Sequence, residues 1–146
     1  MKKINFYVHI PFCKSKCRYC GFFSCTGKDK LVPEYFLSLG KELETYRKKL
    51  KGYIISSIYF GGGTPSLVNP NLINRFLNKC RNVTLVSKEA EITLEANPET
   101  VTRQSLDIYK ESGITRLSIG LQAWQNEILS YLGRGATRED FLRAYF

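Results

Sequence analysis

Apolar positions along the chain alternate between strand-like runs and runs at helical spacing, and that switching predicts an α/β fold. Phe6, Tyr7, Val8 and Ile10 make residues 4–10 a strand that Pro11 ends. From Val32 to Leu50, apolar residues recur at helical spacing: Val32, Tyr35, Phe36, Leu39, Leu43, Tyr46 and Leu50. Pro33 stands where a helix tolerates proline, and Gly52 follows the end. Residues 53–60, Tyr-Ile-Ile-Ser-Ser-Ile-Tyr-Phe, are β-branched and aromatic and read as a second strand. A helix with Leu72, Ile73, Phe76 and Leu77 follows Gly61-Gly62-Gly63-Thr64-Pro65-Ser66. Residues 90–96 form a third strand broken by Asn97-Pro98, and Thr102 to Ser112 a helix closed by Gly113. Residues 115–121 make a fourth strand, and a short helical stretch runs from about Gln125 to Leu132. Thr137 and Asp140 are spaced as a capping box for one more helix.

Strand–helix alternation of this kind calls for parallel strands joined by crossover helices. About four such units fit, whereas a closed eight-fold barrel needs roughly 200 residues or more. The expected fold is therefore parallel (βα) repeats forming a half barrel. Residues 1–146 are expected to be the N-terminal part of a longer domain, because the last helix breaks off two turns in. Such an open sheet is expected to expose its edges and an apolar inner face.

Composition agrees with one ordinary globular domain: 43% of residues are hydrophobic and 24% charged. No apolar run reaches membrane-spanning length, and the N-terminus lacks the apolar segment of a signal peptide. A cytoplasmic protein is expected. The net charge of +9 sits largely in Lys41, Arg47, Lys48, Lys49 and Lys51, near the end of the first helix. No RRM, KH or zinc-finger pattern accompanies it, so the charge reads as a solvated face rather than a nucleic-acid surface.

Five cysteines in this setting are not a disulfide framework, because three are clustered. Cys13, Cys17 and Cys20 stand in C-x3-C-x2-C spacing on the loop leaving the first strand. Thiolates so close in sequence converge on one inorganic centre at small loop-closure cost. An iron–sulfur cube takes four cysteine ligands, so a three-cysteine loop leaves one iron open to a small molecule. Lys14, Lys16 and Arg18 interleave the thiols and favour thiolates, while Phe12, Tyr19, Phe22 and Phe23 supply an apolar shell. Two other readings stand beside this one: a zinc site with His9 as fourth ligand, and thiols that bind nothing. Cys25 and Cys80 read as incidental, and Trp124 as packed against the sheet.

The wording from Tyr7 to Ser24, YVHIPFCKSKCRYCGFFS, resembles the radical S-adenosylmethionine (SAM) enzymes, in particular the branch containing oxygen-independent coproporphyrinogen oxidases and heme chaperones. The GGGTP, LEANP and GLQ motifs occur in the order this resemblance requires and extend it over nearly the whole chain. The resemblance implies a 4Fe-4S cluster on Cys13, Cys17 and Cys20, its open iron chelated by SAM. Reductive cleavage would then yield a 5′-deoxyadenosyl radical, with an electron donor such as flavodoxin or ferredoxin.

Further residues carry implied roles. Gly62, Gly63 and Thr64 are similar to the segment that takes the SAM amino group through backbone carbonyls. Glu95, at the end of the third strand, is implied to contact the SAM ribose or a neighbouring group; from the residues alone a salt bridge is the plain alternative. Gln122 and Arg134 match cofactor-contacting positions. Tyr7 and Tyr19 match aromatic positions beside SAM. Phe22 stands where the oxidases of this branch resemble a fourth cysteine, and their N-terminal extension is missing. Both departures point to the heme-chaperone subgroup, with heme or porphyrin and a heme-acceptor protein as partners. Enzymatic activity is left open by the sequence, as is an inactive or zinc-bound chain.

Overall fold

The computed structural model describes residues 1–146. Its four strands, β1 (Lys2–Ile10), β2 (Tyr53–Gly62), β3 (Leu85–Ala96) and β4 (Arg116–Ile119), form one parallel sheet in the order β1-β2-β3-β4. The connections carry α1 (Val32–Thr45), α2 (Pro70–Val83) and α3 (Arg103–Ser112); α4 (Asn126–Tyr131) and α5 (Arg138–Tyr145) follow β4. The expected parallel (βα) repeats are present.

Side-chain alternation sorts the strands into two faces. Val8, Ile10, Ile58, Phe60, Ile92 and Leu94 are buried against Phe36, Leu43, Ile73, Phe76, Leu77 and Tyr109 of the helices. Full burial of an aromatic such as Phe60 contributes about 1.5–3 kcal/mol. The opposite face carries Tyr7 and His9, Tyr59, Thr93 and Glu95, and Arg116 and Ser118. The expectation of an apolar inner face is corrected here: the unclad side is polar and aromatic, cross-linked by its own hydrogen bonds.

One irregularity decides which residues reach that face. Ile4 pairs with Ile55 but Asn5 with Ser57, so Ser56 is an extra residue in β2. Its hydroxyl donates to Asn5 Oδ1 at 2.6 Å. A single inserted residue exchanges the two faces of a strand beyond it. Ile55 and Ile58 therefore both point into the helical layer, and Tyr59 is delivered to the inner face.

Several boundaries differ from the sequence pattern. The first helix ends at Thr45 rather than Leu50, and Tyr46–Lys51 continue as turns although Leu50 is buried. The basic residues Arg47, Lys48, Lys49 and Lys51 thus lie on a turn beyond the helix. The third strand begins five residues early, at Leu85, and the fourth is cut to Arg116–Ile119. The capping box of α5 forms as read, with Thr137 and Asp140 bonding reciprocally. Trp124 does not pack on the sheet; it is half exposed, with the Arg138 guanidinium 5.5 Å from its ring centroid. No helix is long and apolar enough to cross a membrane.

Candidate functional site

The chain leaves β1 at Pro11 and returns through a closed loop. Cys25 N donates to Pro11 O at 2.7 Å and Cys13 N to Cys25 O at 2.9 Å, pinching the loop's two ends together. A turn closed by Cys20 N on Cys17 O sets the spacing within it. The interleaved cations brace this loop. Lys16 Nζ donates to Phe22 O at 2.7 Å and Ser24 Oγ at 3.0 Å, Lys14 pairs with Glu99 at 3.0 Å, and Arg18 lies over the Tyr131 ring. Arg18 N also donates to Leu132 O, tying the loop to the end of α4.

Beyond β2 the glycine segment is laced to the same loop. Gly63 N donates to Ile10 O and Thr64 N to Phe12 O, both at 2.8 Å, while Gly62 N donates to Glu95 Oε2 at 3.2 Å. Three consecutive N–H groups are thereby spent inside the protein. The segment offers carbonyls to a ligand, so it reads as a site for an ammonium or hydroxyl donor rather than a phosphate cradle. Gly63 has no room for a side chain: a Cβ there would lie 2.7 Å from Phe12 O and 3.0 Å from Cys13 Sγ. The Thr64 hydroxyl donates to Cys13 Sγ at 3.6 Å.

These segments enclose a cavity of ≈ 210 Å³ at the carboxyl ends of the strands, where parallel α/β folds bind their ligands. Cys13, Cys17, Cys20, Tyr19, Gly62, Gly63, Thr64, Glu95, Gln122 and Arg134 all line it. Tyr7 does not. It lies exposed on the inner face, with its hydroxyl 3.1 Å from His9 Nδ1 and its ring stacked on Tyr59. Residues the sequence left unmarked also line the wall, among them Asn97, Glu99, Thr100 and Ser118. The Asn-Pro break after β3 was visible, but no spacing rule marked the side chains following it as facing the cavity.

On the far side, Arg134 Nη2 donates to Asn97 Oδ1 at 2.8 Å and to Gly120 O. Its Nε is buried without a partner, and no carboxylate pairs with it. Tyr19 stands beside it: burial raises the phenol above its ordinary value, and the Arg134 guanidinium pulls the other way. Gln122 adopts φ 76°, a left-handed conformation uncommon outside glycine and typical of strained functional turns. Glu95 has no cationic partner, so the salt-bridge alternative is withdrawn; Tyr59 Oη–H and Gly62 N–H satisfy it instead.

The donor set fits a cluster and its ligand. Three thiols and the carbonyl-presenting glycine segment line one cavity with the Glu95 carboxylate and a guanidinium that no carboxylate pairs. No three or more His, Cys, Asp or Glu converge as ligands of a single ion. His9 is not free to join a zinc site: its Nε2 bonds Phe23 O at 3.0 Å and its Nδ1 the Tyr7 hydroxyl. Cys80 lies fully buried in α2, its thiol pushed up by burial to about 12, and takes no part.

The radical SAM superfamily model matches residues 7–145. The chain belongs to the radical SAM superfamily. It is 37% identical over 143 residues to the heme chaperone HemW of Buchnera aphidicola (subspecies Acyrthosiphon pisum), a match covering 97% of this chain and 38% of that protein. To the HemW of Escherichia coli it is 38% identical over 133 residues, covering 90% of this chain and 35% of the relative. Among solved structures it is similar to the coproporphyrinogen III oxidase HemN of Escherichia coli, a radical SAM enzyme, with TM-score 0.86 and 28% identity. That superposition covers 98% of this chain and 33% of HemN. The chain spans little more than a third of the curated relatives it matches. Its four-stranded parallel sheet corresponds to part of the radical SAM barrel.

Proposed function

We propose that the cavity holds a 4Fe-4S cluster on the Cys13, Cys17 and Cys20 thiolates with SAM beside it. We further propose that the protein works in the cytoplasm in heme or porphyrin metabolism, delivering heme to acceptor proteins as the HemW relatives' name describes. The observation that carries the first part is the convergence of three thiols, a carbonyl-presenting glycine segment, the Glu95 carboxylate and the Arg134 guanidinium, which no carboxylate pairs, on a single cavity. In this reading the carbonyls of Gly62–Thr64 take the SAM ammonium and Arg134, which no protein carboxylate pairs, takes its carboxylate in a charge-assisted pair. Glu95 accepts from the ribose, Gln122 closes the far wall, and Tyr19 covers the mouth. Tyr7 holds His9 and through it Phe23. When bound, cluster and SAM supply one-electron cleavage chemistry, fed by a flavodoxin- or ferredoxin-type donor.

A second reading, a coproporphyrinogen oxidase-type enzyme, is favoured by the TM-score of 0.86 to HemN. Against it stands Phe22, 65% exposed at the cavity, which brings no fourth sulfur. Heme titration of the anaerobically reconstituted protein separates the two. The chaperone reading expects saturable heme binding and little 5′-deoxyadenosine after reduction. Absent heme binding together with SAM turnover above a Cys17→Ser background would favour the oxidase.

A further inference from the structure

Tyr59 does not line the cavity, yet it sits where it controls a residue that does. The extra residue Ser56 turns the Tyr59 ring onto the inner face, nearly parallel to the Tyr7 ring with centroids 6.1 Å apart. From there its hydroxyl donates to Glu95 Oε1 at 2.7 Å. Gly62 N–H holds the other oxygen. Both side chains close over Gly61, where a Cβ would lie 2.9 Å from the Tyr59 ring and 3.0 Å from Glu95 Oε2. Acceptance by Glu95, aided by burial, raises the Tyr59 phenol above its ordinary value and keeps the proton on the donor.

A carboxylate has about four acceptor sites, and a half-buried one without a cation depends on neutral donors to satisfy them. Here two donors fix the carboxylate from behind and leave about two sites for a ligand in the cavity. We propose that Tyr59 is a positioning residue: its hydroxyl orients the Glu95 carboxylate so that the remaining acceptor sites receive the hydroxyls of a ribose. This rests on the reading that SAM occupies the cavity with its ribose at Glu95.

The test uses the cluster-loaded protein and equilibrium binding of two ligands, SAM and its 2′,3′-dideoxy analogue. Tyr59→Phe keeps the ring and removes only the donor. Expected is a loss of about tenfold or more in SAM affinity, the scale of one hydrogen bond to a charged group. The dideoxy analogue should bind wild type and variant alike, and thermal stability should move by no more than a few degrees. Equal weakening for both ligands would make Tyr59 a merely structural residue and overturn the inference. So would unchanged SAM affinity in Tyr59→Phe alongside a clear loss in Glu95→Gln, which leaves SAM binding itself standing. If neither variant nor removal of the diol alters binding, Glu95 does not meet the ribose and the inference is overturned; absence of SAM binding by the cluster-loaded wild type would instead overturn the reading beneath it.

Discussion

Cys17→Ser is expected to lower bound iron and sulfide after anaerobic reconstitution by more than about tenfold, from about four irons per chain. Soft thiolates select iron–sulfur clusters, and a serine hydroxyl at the same position is a poor substitute. With Cys13 and Cys20 alone, two irons of the cube would lack protein ligands. The polypeptide itself should hardly notice. Cys17 lies outside the buried core, in a turn whose backbone bonds, Cys20 N to Cys17 O and Arg18 N to Leu132 O, do not involve its side chain. Metal-free stability should therefore change by less than about 0.5–1 kcal/mol. Cys80→Ser should show the reverse pattern. Iron should be retained, while a hydroxyl replaces a thiol that is 0% exposed within α2, costing about 1–3 kcal/mol. Iron and sulfide analysis with thermal melts of both variants checks the pair. Equal iron loss in the two would mean that metal content follows folding rather than ligation.

Gly63→Ala carries the second large effect, and it acts through backbone. The new methyl would meet Phe12 O at 2.7 Å, the Pro11 carbonyl carbon at 2.9 Å and Cys13 Sγ at 3.0 Å. Two of these atoms are main chain and cannot rotate away. Relief must come from separating the glycine segment from the cysteine loop, which breaks Thr64 N to Phe12 O or Gly63 N to Ile10 O. Overpacking of this kind costs about 1–3 kcal/mol. Because the displaced atoms include the Cys13 sulfur, the variant should also take up iron poorly. Gly21→Ala is the matched control, since a Cβ there has nothing within 4 Å. It should leave both stability and iron content at wild-type values. A Gly63→Ala protein that melts and loads like wild type would show that the two loops are not packed as described.

Much of this was legible in the sequence because strands and thiols announce themselves. Ile92, Leu94 and Ala96 alternate with polar neighbours, and Thr137 with Asp140 signals a helix start by local chemistry alone. The cavity's lining was legible for the same reason: strand ends in a parallel sheet converge wherever the crossovers are regular. What escaped depended on geometry that no local pattern encodes. Ile54, Ile55 and Ile58 are apolar in both strand phases, so the extra residue at Ser56, and with it the orientation of Tyr59, could not be read. Tyr46 and Leu50 continue a helical spacing through turns, because Leu50 is buried without being helical. Ser87, Lys88 and Glu89 interrupt the apolar run of β3 and hid its first half. His9 looked like a candidate zinc ligand until both its ring nitrogens were found engaged. Tyr7, expected beside the cofactor, lies on the inner face against His9 and the Tyr59 ring.

The most direct check is the electron paramagnetic resonance spectrum of the reconstituted, chemically reduced protein, recorded before and after addition of saturating SAM. With an iron left free by Cys13, Cys17 and Cys20 and held open at the cavity wall, the cluster signal should change its g values when SAM binds. A reduced 4Fe-4S signal that stays the same at saturating SAM would contradict the account.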